Sequence, residues 1–165
     1  QRVDYRHLST VTAALHEAGC QITGGRDTVS LRSDGRLRSV RAVRTAPYPG
    51  FPTDAQAILM AALLKSQGAT VFVETIFENR YRHVDELRRM GADISIADRV
   101  AVVTGVSSLF GAPVRATDLR GGAALMVAAL TAQGETQISD VHHILRGYED
   151  PVRDLRTLGA EARWE

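Results

Sequence analysis

The chain has 165 residues, 44% of them hydrophobic, with 20 basic against 19 acidic side chains for a formal charge of +1. That length supports one domain with a true core, and the near-neutral balance removes the bulk electrostatic case for a dedicated nucleic-acid binder. A single cysteine, Cys20, excludes an internal disulfide, and the apolar runs Ala57 to Leu64 and Ala123 to Leu130 are far shorter than the ~18 residues of a membrane-spanning helix. With no charged-then-apolar leader at the start, a reducing cytoplasmic setting is expected.

In chain order, a helix begins near Asp4 and carries Thr12, Leu15 and Ala18 on one small, apolar face. Gly19 follows where a left-handed C-cap is expected, and a strand starts by Ile22. Thr28 to Arg32 alternates as a second strand. Cys20, between cap and strand, reads as a small buried residue rather than a nucleophile. Arg32, Arg36, Arg38, Arg41 and Arg44 lack aromatics for base stacking and read as a solvated strand face. Pro47, Pro49 and Pro52 make the approach to Asp54 stiff and extended, or a turn.

A helix is then expected over Thr53 to Ser66 and a strand over Thr70 to Glu74. The segment Glu74 to Tyr81 leaves that strand as a loop, the location where α/β ligand crevices form. Val84, Leu87, Met90, Gly91 and Ile94 repeat the helix–glycine–strand pattern, and Asp93 to Ile96 turns at Ala97–Arg99 into Val100 to Thr104 as a hairpin. A second long helix spans Thr117 to Ala132, and a strand spans Thr136 to Ser139. His142 and His143 read as structural strand neighbours on opposite faces, without metal-ligand spacing. The pattern recurs a third time in Val152, Leu155, Leu158, Gly159 and Ala162.

The two long helices start alike, with Thr53-Asp54 and Thr117-Asp118, so the chain is an internal repeat with acids at helix mouths. Such mouths carry unpaired N–H groups and partial positive charge, which suits anionic ligands. Thr53 and Gln56 fit a capping box, with Asp54 in the first turn; Asp54 either complements the helix dipole, worth about 0.3–1 kcal/mol, or serves chemistry. In the second helix Arg120 stands where the dipole disfavours a cation, and Gly121 and Gly122 each cost about 1 kcal/mol relative to alanine. That strain points either to an Arg120–Asp118 pair or to an arginine gripping an anion, with the glycines admitting a ligand. Arg146 precedes Gly147, whose freedom could aim the cation inward. Tandem strand–helix–strand–helix–hairpin units cannot cover their apolar faces singly, so the expected fold is a pseudo-symmetric α/β domain packed around shared buried helices.

The motifs Pro47-Tyr48-Pro49-Gly50-Phe51-Pro52-Thr53-Asp54-Ala55-Gln56, Glu74-Thr75-Ile76-Phe77-Glu78-Asn79-Arg80, Met90-Gly91-Ala92-Asp93-Ile94, Asp118-Leu119-Arg120 and Arg146-Gly147-Tyr148-Glu149 run in order along nearly the whole chain. Together they resemble the enolpyruvyl transferase family, in particular its UDP-N-acetylglucosamine 1-carboxyvinyltransferases. The resemblance implies an inside-out α/β barrel of βαβαββ units, incomplete at both ends. Residues 1–46 would be the remainder of one unit, 47–112 a second and 113–165 a third. It implies a first domain outside this chain, with a Lys-Asn pair and a reactive-cysteine loop that Cys20 does not match.

Carried over by position, Asp54 resembles the carboxylate that contacts the sugar 3-hydroxyl and acts as base, and Ile76 the residue whose backbone meets the nucleotide sugar. Arg120 and Arg146 resemble the arginines that hold phosphoenolpyruvate and its adduct, Asp118 an acid near the reacting carbons, and Arg80 a side chain that orients those contacts. UDP-N-acetylglucosamine and phosphoenolpyruvate are the implied partners, with no nucleic acid and no membrane. No redox cofactor or metal is expected, the sequence having neither a nicotinamide fingerprint nor clustered ligands. Rivals are the sister enzyme acting on shikimate 3-phosphate, against which Thr75 to Arg80 argues, and a non-catalytic fragment that binds a nucleotide sugar.

Overall fold

Asp4 opens the first helical segment: its carboxylate accepts the Arg6 N–H at 2.9 Å and caps a 3-10 turn, Tyr5–Leu8, that continues into α1 (Ser9–Glu17). The computed structural model describes residues 2–165. After α1 comes an antiparallel hairpin, β1 (Gln21–Gly24) with β2 (Val29–Arg32). The middle of the chain forms β3 (Ala42–Arg44), α2 (Thr53–Ala62), β4 (Ala69–Val73), α3 (Val84–Arg89), β5 (Asp93–Ala97) and β6 (Val100–Thr104). Its sheet has the order β3-β4-β6-β5, with β3 parallel to β4 and the other pairs antiparallel. The last part contains β7 (Leu109–Phe110), β8 (Pro113–Arg115), α4 (Leu119–Ala129), β9 (Ala132–Gln133), β10 (Gln137–Ser139), α5 (His142–Leu145) and α6 (Pro151–Thr157), with β7 parallel to β9 and β8 parallel to β10.

Period-two burial explains the sheet. Thr70 and Phe72 of β4, Ala101 and Val103 of β6, and Ile94 of β5 face inward, while their chain neighbours are more exposed. The helices inside that sheet are apolar on more than one side. In α2, Ala57, Leu59, Met60 and Ala61 are buried, and in α4 Ala123, Ala124, Leu125 and Ala128 are buried. The two helices pack along one another at the centre, so each larger side chain withdrawn from water contributes about 1.5–3 kcal/mol. The expected arrangement of sheet outside and helix inside is observed.

The three glycines that close the repeated helices have φ of +102° (Gly19), +93° (Gly91) and +92° (Gly159), the left-handed conformation that terminates a helix with little strain only at glycine. Elsewhere the expectations need correction. α2 ends at Ala62 rather than Ser66, because Leu63 closes it with its N–H on the Leu59 and Met60 carbonyls. Ala132 belongs to β9, not to the helix before it. His142 and His143 lie in α5, not on a strand, with ring centroids 4.1 Å apart. Among the described residues no strand follows Gly159: residues 160–165 form no strand pairing and are held instead by Arg163, whose guanidinium meets Glu135 at 3.0 Å. Pro47 to Gly50 makes a turn closed by the Gly50 N–H on the Pro47 carbonyl at 2.7 Å. The arginines from Arg32 to Arg44 are exposed and Cys20 is buried. Among the described residues, no helix is long and apolar enough to cross a membrane.

Candidate active site

Both long helices open at the same end of the core, and their first turns meet through charge. Pro52 is the N-cap of α2, which places Thr53 first and Asp54 second; Asp118 is the N-cap of α4, which places Leu119 first and Arg120 second. The side chains at these equivalent second positions bind each other, Arg120 Nε lying 3.1 Å from Asp54 Oδ1. Arg80, from the loop after β4, donates to the same oxygen at 3.1 Å and to the Thr53 carbonyl at 3.4 Å. Its guanidinium stands 5.2 Å from the centroid of the Phe77 ring, an apolar cover for the cation. Asp54 is the most open of the three, with its side chain 61% exposed against 31% for Arg120 and 17% for Arg80. The hydrogen bond from Arg120 is the main cause that holds the Asp54 carboxyl below the usual range, and Asp54 in turn raises Arg120.

The capping box does not form. The Thr53 hydroxyl turns away from its own helix and donates to Glu74 Oε2 at 2.9 Å, and the Gln56 amide is buried without a hydrogen-bond partner among the described residues. In α4 the cap is real but shifted by one residue: Asp118 Oδ1 accepts the N–H groups of Arg120 at 2.9 Å and Gly121 at 2.8 Å. Asp118 therefore meets the Arg120 backbone, and the Arg120 side chain chooses Asp54. The two glycines face protein, not ligand space: a Cβ at Gly121 would stand 2.9 Å from His83 Cβ, and one at Gly122 would stand 2.5 Å from Ile144 Cγ1. They let α3 and α5 close on α4.

Glu74 is a residue for which the sequence suggests no role. Only 1% exposed at the end of β4, it accepts hydrogen bonds from Thr45 Oγ1 (2.9 Å), Thr53 Oγ1 (2.9 Å), the Ile76 N–H (2.8 Å) and the Phe77 N–H (3.1 Å). Ile76 is thus tied through one carboxylate to the residue preceding Asp54. Arg146 is the C-cap of α5, exposed and outside every ion pair among the described residues. The loop it begins lies on the mouth of α4, since a Cβ at Gly147 would come within 2.9 Å of Leu119 Cδ2. Asp54, Arg80 and Arg120 are in direct contact; Asp118 joins them through the Arg120 N–H and Ile76 through Glu74 and Thr53, while no hydrogen bond or ion pair among the described residues brings Arg146 to them.

A cavity of about 390 Å³ shares Arg80 with the cluster and is otherwise lined by Glu78, Tyr81 and Thr117 among others, with neither Asp54 nor Arg120 in its wall. A larger hollow of about 1540 Å³ lies elsewhere, between Met126, Leu130, Ile138, Val152, Leu155 and Trp164. Convergent charge, rather than cavity size, marks the Asp54–Arg80–Arg120 cluster as the candidate site. No cluster of three or more metal-ligating side chains occurs among the described residues.

The sequence model of EPSP synthase (3-phosphoshikimate 1-carboxyvinyltransferase) matches residues 1–155. The chain belongs to this family of enolpyruvyl (carboxyvinyl) transferases. It is 52% identical over 155 residues to the UDP-N-acetylglucosamine 1-carboxyvinyltransferase of Desulfofundulus thermocisternus, a match that covers 94% of this chain and 63% of that protein. It is 49% identical over 165 residues to the enzyme of that name from Myxococcus xanthus (strain DK1622), covering 100% of this chain and 39% of that one. The fold superposes on the enolpyruvyl transferase NikO from Streptomyces tendae with a TM-score of 0.86 at 32% identity, over 94% of this chain and 36% of that one. EPSP synthase from Acinetobacter baumannii, at 18% identity and a TM-score of 0.67 over 95% of this chain and 37% of that one, shares the fold. The chain spans from 36% to 63% of the length of the curated relatives it matches.

Proposed function

We propose that the polypeptide carrying this chain transfers the enolpyruvyl group of phosphoenolpyruvate to the 3-hydroxyl of UDP-N-acetylglucosamine, releasing phosphate, as the first committed step of peptidoglycan synthesis in a bacterial cytoplasm. The observation that carries the reading is Asp54, held between Arg80 and Arg120 where two buried helices open together. Identities of 48–52% to enzymes named for the nucleotide sugar favour it over shikimate 3-phosphate as acceptor.

In this reading Asp54 takes the proton of the attacking hydroxyl. The sugar oxygen bonds to C2 of phosphoenolpyruvate as C3 gains a proton, and phosphate leaves as C3 loses one and the double bond reforms. Arg120 and Arg146 balance the charge of phosphoenolpyruvate and its adduct. Arg120 keeps its Nε–H on Asp54 and turns its remaining N–H groups to the anion, so that carboxylate and cation reach the reacting atoms as one group. Arg80 stays to orient Asp54, and the Ile76 backbone meets the sugar. Asp118 keeps one oxygen on its helix and turns the other toward the reacting carbons. No cofactor is assigned.

Residues 1–46, 47–112 and 113–165 are taken as parts of three successive units of one domain. The facing wall of the cleft, with the Lys-Asn pair and the reactive cysteine, comes from another domain of the same enzyme, and the chain alone is inactive. The test is phosphate release by the full-length reading frame with phosphoenolpyruvate and either acceptor. Release with UDP-N-acetylglucosamine alone supports the reading. Release only with shikimate 3-phosphate transfers the site to the sister reaction, and release with neither leaves a binding module.

A further inference from the structure

We infer that Glu74 is a positioning residue: its buried carboxylate sets the geometry of Asp54 and of the Ile76 backbone by clamping the mouth of α2 to the loop after β4. The inference rests on the reading of the site given above.

The carboxylate gathers donors from separate segments. Oε1 accepts from Thr45 just past β3 and from the Ile76 and Phe77 N–H groups, and Oε2 accepts from Thr53, the first residue of α2. Thr45 extends the clamp, because its hydroxyl also accepts the Thr75 N–H at 2.8 Å and its carbonyl accepts the Thr75 hydroxyl. The need for it is visible in α2 itself, which has no side chain capping its N-terminus, whereas α4 and α6 are capped by Asp118 and Asp150. Without an internal cap, the first turn of α2 takes its position from outside. Glu74 holds the Thr53 side chain from within the core, and Arg80 holds the Thr53 carbonyl and Asp54 from the cleft side. Asp54, one residue beyond Thr53, is placed by both.

No cation forms an ion pair with Glu74 among the described residues, so the arrangement depends on its acceptor geometry. A glutamine at the same place keeps the oxygen toward Ile76 and Phe77 and presents its amide N–H to Thr53, whose hydroxyl can accept. Alanine leaves two backbone N–H groups and two hydroxyls without their acceptor.

The test uses the full-length enzyme with Glu74→Ala, Glu74→Gln and Thr53→Val, read by amide hydrogen exchange at Ile76 and Phe77 and by kcat and KM for UDP-N-acetylglucosamine. Exchange requires no activity, so it tests the clamp even if the wild-type assay rejects the proposed reaction. Glu74→Ala is expected to speed exchange at both amides about tenfold or more and to lower kcat/KM about 100-fold, the scale of a 1 Å displacement of a reacting group. Glu74→Gln restores both to within about threefold, as hydrogen-bond geometry is retained. Should Glu74→Ala fail to fold, Thr53→Val, which removes one bond only, is expected to lower kcat about tenfold with the fold intact. Glu74→Ala, or Thr53→Val in its place, with wild-type exchange and kinetics would overturn the inference, as would a glutamine variant as impaired as alanine.

Discussion

Asp54 and Asp118 are each preceded by threonine and stand at the mouths of adjoining helices, yet they point in different directions. α2 begins at Thr53, so Asp54 falls inside its first turn and projects toward Arg80 and Arg120; α4 begins two residues later relative to the shared Thr-Asp pair, so Asp118 becomes its cap and turns back on its own N–H groups. A two-residue offset in helix start thus sends one acid to the arginines of neighbouring segments and puts one oxygen of the other on its own helix. The same offset brings Arg120 into the position that Asp54 occupies in α2, and the two mouths become joined by opposite charges.

The sharpest way to break this comparison is Asp54→Ala in the full-length enzyme, where loss of a general base should lower kcat about 100-fold or more while the affinity for the nucleotide sugar changes little. Unchanged kcat would remove Asp54 from the chemistry. Next is Arg120→Ala, expected to reduce kcat/KM for phosphoenolpyruvate about 10- to 100-fold, the scale of a charge-assisted hydrogen bond. Wild-type dependence on phosphoenolpyruvate would place the anion elsewhere.

A pH effect follows from His83, under the mouth of α4, where burial pushes the imidazole from 6.5 down to about 4. The unfolded chain binds the proton first, so this contribution to stability is complete above pH 6.5 and is lost as pH falls toward 4, a change of about 3 kcal/mol at most. Asp54, also depressed, adds a loss of the same sign at lower pH. Thermal melts from pH 7 to 4 should show the decline, and His83→Gln should flatten its upper part; an identical slope in the variant would assign the effect to other groups. The smallest effect is at Asp118, where Asp118→Ala should cost about 1 kcal/mol of stability through the lost cap. Asp118→Asn should keep the cap, so a fall in kcat in that variant alone would show that the second oxygen acts on substrate.

Features governed by residues close in sequence were legible before the structure. The threefold helix–glycine pattern, with its following strand in the first two copies, the β5–β6 hairpin and the buried faces of α2 and α4 follow from periodicity and from glycines at positive φ. The Thr-Asp repeat singles out Asp54, and a cation at a helix N-terminus singles out Arg120. What escaped depends on distant partners. Thr53 abandons the capping box because Glu74, 21 residues on, takes its hydroxyl, and Arg120 leaves Asp118 because α2 brings Asp54 alongside. Gly121 and Gly122 suggested room for a ligand, but His83 and Ile144 fill it. The two- and three-residue strands β3, β7, β8, β9 and β10 are too short for alternation to announce, apart from β10, where the Thr136–Ser139 segment gave a weak signal.

The central claim is that the mouths of α2 and α4 act as one unit, and a double-mutant cycle on Asp54 and Arg120 in the full-length enzyme tests it directly. With kcat/KM as the readout, Asp54→Ala/Arg120→Ala should lose little more than the worse single variant, because the first substitution already dismantles the shared group. Losses that multiply, each variant acting as though the other residue were elsewhere, would contradict the account.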